Sequence, residues 1–208
     1  MGHVLLVTSI SSAWLTAGDL VDVPVDDGAR ALALRARAGE RAALRAVYER
    51  YARRVRRFVR DLLRDSSAAD DALQDTFVRV FQRIGTLEAP EQLPGFVFGV
   101  ARRVCLEHRR RAARRQRHDG GAGVEVDVVD SEATPEAAYL GDEAARALDR
   151  AVDALSPDRR AILLLRCDHL LPYDQIATAM GFSVAKVRVE LHRARTTLAA
   201  VLQEEGAR

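Results

Sequence analysis

Apolar residues recur at intervals of three and four along most of this chain, while the strict alternation of strands is scarce. From about Asp27 to Leu63 the spacing predicts one or two helices. Their stripe is Leu44, Val47, Tyr48, Tyr51, Val55, Phe58 and Leu62. "RDSSAADD" breaks the stripe, with Ser66 or Ser67 as the expected cap of a new helix and Asp70 and Asp71 near its positive end. That helix, "ADDALQDTFVRVFQRI", buries Leu73, Phe77, Val80, Phe81 and Ile84 and turns Asp71, Gln74, Asp75, Val78, Arg79 and Gln82 outward. "GTLEAPEQLPG" has the composition of a loop. "FVFGVARRVCLEHRRRAARRQR" starts apolar and ends as an arginine tail. Helical spacing resumes in "EAARALDRAVDAL" and in "SPDRRAILLLRC", where Ser156 is placed to cap and Pro157 to open a helix.

The last patterned stretch is "YDQIATAMGFSVAKVRVELHRAR". Ile176, Ala177 and Met180 are apolar, and Gly181 then breaks the period, as a residue tolerant of the left-handed conformation does. Ser183 stands at the N-cap of a second helix whose stripe is Val184, Val187, Leu191, Ala194, Leu198 and Val201. Its opposite face carries Lys186, Val189, His192 and Arg193, with Arg188 at one edge and Glu190 at the other. Two helices around such a turn fit a helix-turn-helix, whose second helix can enter a DNA major groove. Alone, the stretch fits equally an amphipathic helix with a solvated basic face.

Charge changes the picture. The 208 residues carry a formal net charge of only +2, but it is strongly segregated. Residues 101–118 hold eight Arg and one acid, Glu107, whereas residues 119–143 hold eight acids and no Lys or Arg. The arginine segment predicts salt-sensitive nucleic-acid binding, and the Gly-rich, then acidic stretch after it reads as a linker. Cys105 and Cys167, the only two cysteines, lie far apart in apolar helical patterns and match no metal spacing. Buried reduced thiols suit a cytoplasmic protein. The opening "MGHVLLVTSISSAWLTAG" lacks a basic leader and is too short to span a bilayer, so it is expected to be a disordered extension. No Ser/His/Asp set, His/Cys cluster, phosphate-cradling loop or converging carboxylate pair is legible. No enzymatic activity, no cofactor and no metal site is therefore expected.

Four of these segments, in order, carry a resemblance to a known family. "GERAALRAVYERYARRVRRFV", "DDALQDTFVRVFQRI", "LPGFVFGVARRVCLEHRRR" and "LSPDRRAILLLRCDHLLPYDQIATAMGFSVAKVRVELHRARTTL" resemble successive parts of a bacterial RNA polymerase sigma factor of the extracytoplasmic-function type. The resemblance runs from about Asp27 to Leu202. It implies an all-α fold of two helical domains joined by a flexible acidic linker, the C-terminal one holding the helix-turn-helix. The expected divisions are an extension 1–26, a polymerase-docking and minus-ten domain 27–117, a linker 118–141, and a minus-thirty-five domain 142–204.

The resemblance also implies roles. Asp71, Gln74, Asp75, Val78 and Arg79 would meet the clamp helices of the largest polymerase subunit. The C-terminal domain would meet the flap of the second-largest. Arg102, Arg103, His108, Arg109 and Arg110 would contact the minus-ten element as it opens. Ser183, Lys186, Arg188, Val189, His192 and Arg193 would read the minus-thirty-five element. The acidic linker is either a soluble tether or a chain threaded into the polymerase's RNA path. Core RNA polymerase, promoter DNA and an anti-sigma factor are the implied partners, without direct membrane insertion. A stand-alone helix-turn-helix regulator is the rival reading.

The chain departs from the family pattern at five places. Phe96 stands where Trp is usual and Arg103 where Asn is; Lys186 replaces Thr, Glu190 a basic residue, and Pro172 a capping Ser. Glu190 is expected to pair with Lys186 four residues earlier, the alternative being acceptance from a cytosine amine.

Overall fold

The computed structural model describes residues 27–118 and 149–206. The expected extension 1–26 and almost all of the expected linker lie outside the described residues. Within them every regular element is helical and no strand occurs.

Helix α1 (Asp27–Arg37) turns at Gly39, whose φ of 79° needs no Cβ, into α2 (Arg41–Leu63). The patterned stretch 27–63 is therefore two helices. Helix α3 (Ser66–Arg83) follows, and its cap is Asp65 rather than either serine. The Asp65 carboxylate accepts from the N–H groups of Ser67 and Ala68 at 2.9 and 3.1 Å. The aspartate wins because Arg64 ends α2 in the left-handed conformation (φ 60°), which leaves the next residue extended at the cap position.

Two short 3-10 turns, Ile84–Thr86 and Pro90–Gln92, lead into α4 (Leu93–His118). The expected loop "GTLEAPEQLPG" thus ends earlier than its composition suggested, and Gly95 lies inside α4. After a helical segment at 149–153 come α5 (Pro157–Cys167), α6 (Tyr173–Met180) and α7 (Val184–Gly206). Ser156 caps α5 with Pro157 at its first position, and Gly181 ends α6 at φ 67°, both as the pattern indicated.

Helices α2, α3 and α4 bury Val47, Tyr51, Val55, Phe58, Phe77, Val80, Val97, Phe98 and Val104. Helices α5, α6 and α7 bury Ile162, Leu163, Leu165, Ile176, Leu191 and Leu198. Each such side chain contributes about 1.5–3 kcal/mol when taken fully from water. The two halves share one apolar core, because α4 packs on α6. Gly95 and Gly99, one turn apart, let the helices approach. A Cβ on Gly95 would stand 2.6 Å from the Gln175 carbonyl oxygen, and one on Gly99 would stand 3.2 Å from Ala179.

Polar groups then fasten the junction. Gln175, 2% exposed, accepts from the Gly95 N–H and donates to the Glu91 carbonyl, both at 2.8 Å. Gln92 donates to Asp174 and accepts from Thr178. Arg57 lies 3.1 Å from the buried Asp168 carboxylate, Arg54 donates to the His169 carbonyl, and Arg102 pairs with Asp158. His169 packs against the rings of Phe58 and Phe98, which themselves meet edge to face.

Candidate nucleic-acid interface

Helix α3 presents one face to solvent beside α4. Asp71 and Gln74 are exposed at its N-terminal half, and Val78, 48% exposed, stands among polar neighbours. The other two candidates on this face are held by α4. Arg79 makes a bidentate pair with Glu107 at 2.8 and 2.7 Å, and Asp75 lies 3.1 Å from His108. The Arg79 guanidinium, bonded to the Glu107 carboxylate, holds that carboxyl below its ordinary range. The docking candidates and the arginine segment are therefore one surface of two helices, and Glu107, the one acid in residues 101–118, ties them together.

Between the start of α3 and the end of α4 opens a cleft of about 490 Å³. Asp65, Asp71, Gln74 and Asp75 line one wall, and His108, Arg109, Arg111 and Arg115 the other. Arg103, Arg109 and Arg110 are exposed. Arg102 is not with them. Its side chain is 14% exposed and turned toward Asp158 on α5. Of the five minus-ten candidates, then, three are free to meet a polyanion, while His108 and Arg102 are held by carboxylates. Phe96 is half-buried against the core. Tyr51 and Phe58 are core, but Tyr48 is 44% exposed, its ring in a T-shaped contact with Phe77.

The C-terminal half forms the expected helix-turn-helix. Helix α6 and helix α7 flank Gly181, and the Ser183 hydroxyl accepts from the Lys186 N–H at 3.2 Å. Pro172 precedes α6 without any side-chain cap. Ser183, at the cap, and Lys186, Arg188, Val189, His192 and Arg193 on α7 are all exposed. Val189 stands 48% exposed among them, an apolar contact surface of the kind a thymine methyl meets. Lys186 does not pair with Glu190, contrary to expectation. Its ammonium sits 3.5 Å above the Phe182 ring, while Glu190 takes Arg159 of α5 at 2.9 Å and Arg193 at 2.8 Å. Arginine forks reach the carboxylate because Arg159 projects across from a neighbouring helix, a contact invisible to local spacing.

Comparison with known proteins fits these two surfaces. The sigma-70 region 2 profile matches residues 47–115, and the sigma-70 region 4 profile matches residues 145–198. Together they take in the α3–α4 face and the helix-turn-helix. This chain belongs to the sigma-70 family. It is 36% identical over 110 residues to the probable ECF RNA polymerase sigma factor SigI of Mycobacterium tuberculosis. That match takes in 49% of this chain and spans about a third of the relative's length (36%). Among solved structures it is similar in fold to CnrH in complex with the cytosolic domain of CnrY (TM-score 0.62, 20% identity). That similarity covers 86% of this chain and 99% of the other. A second is the sigma factor RpoE in complex with the anti-sigma factor NepR from Bartonella quintana. There the TM-score is 0.60 at 22% identity, over 75% and 94% of the two chains.

Within this sigma-70 framework, region 2 is α2 to α4 and region 4 is the helical end of the chain. Sequence patterning missed the residues that join them, namely Gly95, Gly99, Gln175 and Asp158, and it missed Arg159, which ties α5 to α7 within region 4. The two glycines at helical spacing were the one available signal. The partners of Gln175 and Arg159 come from remote parts of the chain.

Proposed function

We propose that this sigma-70 chain docks on core RNA polymerase and directs it to promoters, reading a minus-ten element through region 2 and a minus-thirty-five element through region 4. The observation that carries the reading is the α3–α4 surface. A polar rim around exposed Val78 lies against an arginine-rich helix and is locked to it by Arg79–Glu107 and Asp75–His108. A DNA-binding regulator acting by itself has no use for that first surface. Asp71, Gln74, Asp75, Val78 and Arg79 form the docking face toward the clamp helices of the largest subunit. Arg103, Arg109 and Arg110 meet the opened strand, where arginine contacts and stacking hold unpaired bases. Arg102 and His108 join them once their carboxylates let go. Ser183, Lys186, Arg188, Val189, His192 and Arg193 face the upstream duplex.

The chain itself performs no chemistry, works in the cytoplasm and is open to capture by an anti-sigma protein. Its divisions follow the sequence reading, with the acidic segment between the two halves running as tether or along the polymerase's RNA path. Titrating core polymerase into the fluorescently labelled chain tests the docking half of this proposal. Saturable binding is expected to weaken at least tenfold for Val78→Asp, which places an unpaired charge at the centre of the contact. Equal binding by wild type and V78D would contradict it.

A further inference from the structure

We propose that Glu190 is a positioning residue for recognition of the minus-thirty-five element. Clamped by Arg159, its carboxylate fixes the Arg193 guanidinium in the pose from which that arginine meets a guanine edge. The proposal rests on α7 being the minus-thirty-five reading helix.

An acid on a DNA-facing helix is the feature that the sigma reading leaves unexplained, since a carboxylate facing phosphates repels them. The structure removes the difficulty. Glu190 is no free anion: one carboxylate oxygen accepts from Arg159 Nε at 2.9 Å and the other from Arg193 Nη1 at 2.8 Å. Its side chain is only 17% exposed, against 56% for Arg193. The Arg159 guanidinium, with Arg193 second, holds the Glu190 carboxyl below its ordinary range, so it stays ionised throughout the neutral region. Two cations around one anion leave the local face with a net positive charge. Both oxygens are occupied, so no cytosine amine is needed to satisfy the group.

What this does to Arg193 follows from its chemistry. An exposed arginine on a helix surface samples many rotamers, and ordering it on a base has an entropic cost. Here one of its five N–H groups is already spent on a carboxylate that is itself anchored to another helix. Arg159 stands in the first turn of α5, and the Ser156 cap accepts its backbone N–H. The chain of support runs from the α5 scaffold through a carboxylate to the reading arginine. The donors left on Arg193 are a planar fork suited to the O6 and N7 acceptors of guanine. Lys186, the residue expected to neutralise Glu190, sits over the Phe182 ring instead.

The test uses the full chain assembled with core polymerase and a library of duplexes randomised over the upstream element. Base preference at each position is read by selection and then by competition with single-base variants. Arg193→Ala should abolish a guanine preference at one position. Glu190→Ala should lower that same preference roughly tenfold, the scale of one bidentate pair. Total affinity should hold or rise, because a carboxylate has left the DNA-facing side. Arg159→Ala should lower the preference at the same position, and Glu190→Gln, which keeps the hydrogen-bonding shape without the charge, should fall between. A purely structural Glu190 would shift all positions together along with the melting temperature. That result, or an E190A preference equal to wild type where R193A has lost it, overturns the proposal. If R193A changes no base preference, the assignment of Arg193 on α7 itself fails, and the proposal with it.

Discussion

The amide of Gly95 donates to the side-chain oxygen of Gln175 at 2.8 Å, across a sequence separation of eighty residues, and so bonds region 2 directly to the first helix of the helix-turn-helix. In helix-turn-helix proteins that first helix crosses the DNA backbone while the second enters the groove. Here Asp174, Gln175 and Thr178 on α6 are engaged by α4 and the turn before it, whereas the α7 face remains open.

Replacing Gly95 should therefore part the two halves. A Cβ would stand 2.6 Å from backbone, which cannot yield as a flexible side chain can. Gly95→Ala is expected to cost about 1–3 kcal/mol as an overpacking change. Gly95→Leu should exceed that and raise the radius of gyration in small-angle scattering. A compact, equally stable G95L variant would contradict the close packing.

The same junction gives the chain an acid sensitivity. His169 is 4% exposed, and burial, with Arg54 and Arg57 nearby, lowers its pKa from 6.5 to about 3. Its neutral form is the folded one, so its contribution is complete above pH 6.5. The contribution is lost as pH falls from there toward 3, because the unfolded chain takes up the proton first. The loss approaches about 1.4 kcal/mol per pH unit from this one group. Asp168 beside it has a raised pKa from burial, and its effect opposes this at the acid end, above the ordinary carboxylate pKa. Denaturant melts between pH 7 and 5 should show the wild type weakening and His169→Phe largely losing that slope. An H169F slope equal to wild type would remove His169 as its source.

At the proposed docking face, Glu107→Ala should leave Arg79 unpaired but exposed enough to be solvated, with a stability loss of about 0.2–1 kcal/mol. Its effect on core polymerase binding should be larger than that stability change alone implies, because Arg79 loses its fixed orientation. Melting curves and a core-binding titration on the same variant separate the two quantities.

On α7, Lys186→Ala should weaken duplex binding by the polymerase-bound chain nearly uniformly over sequences and lower the slope of log affinity against log salt by about 1, as loss of one phosphate contact does. Val189→Ala should change preference at a thymine position with little effect on that slope. A V189A variant that altered only the salt slope would place Val189 away from the bases.

Much of this was legible from spacing alone. The stripe through Val47, Val55, Phe58 and Leu62, the Ser156 cap and the Gly181 turn all follow from the 3.6-residue period and local backbone chemistry. The exposed row on α7 follows from the same geometry. Long-range pairing was not legible. Glu190 looked toward Lys186 because sequence shows only i and i+4 neighbours, while the arginine that holds it comes from α5, thirty-one residues earlier. Arg102 looked free for DNA for the same reason, and Asp158 lies fifty-six residues away. Gly95 read as loop because Pro and Gly punctuate turns, yet here they open a helix whose smallness at one face is needed for packing.

The proposed role is to give core RNA polymerase its promoter specificity. Run-off transcription tests it most directly, using core polymerase with and without the full chain on a template carrying its selected promoter. A single discrete transcript should appear only when the chain is present and should fade when either V78D or K186A replaces wild type. Transcription that starts at the same site without the chain, or tight promoter binding by the chain that polymerase does not need and never converts to transcript, would contradict the claim.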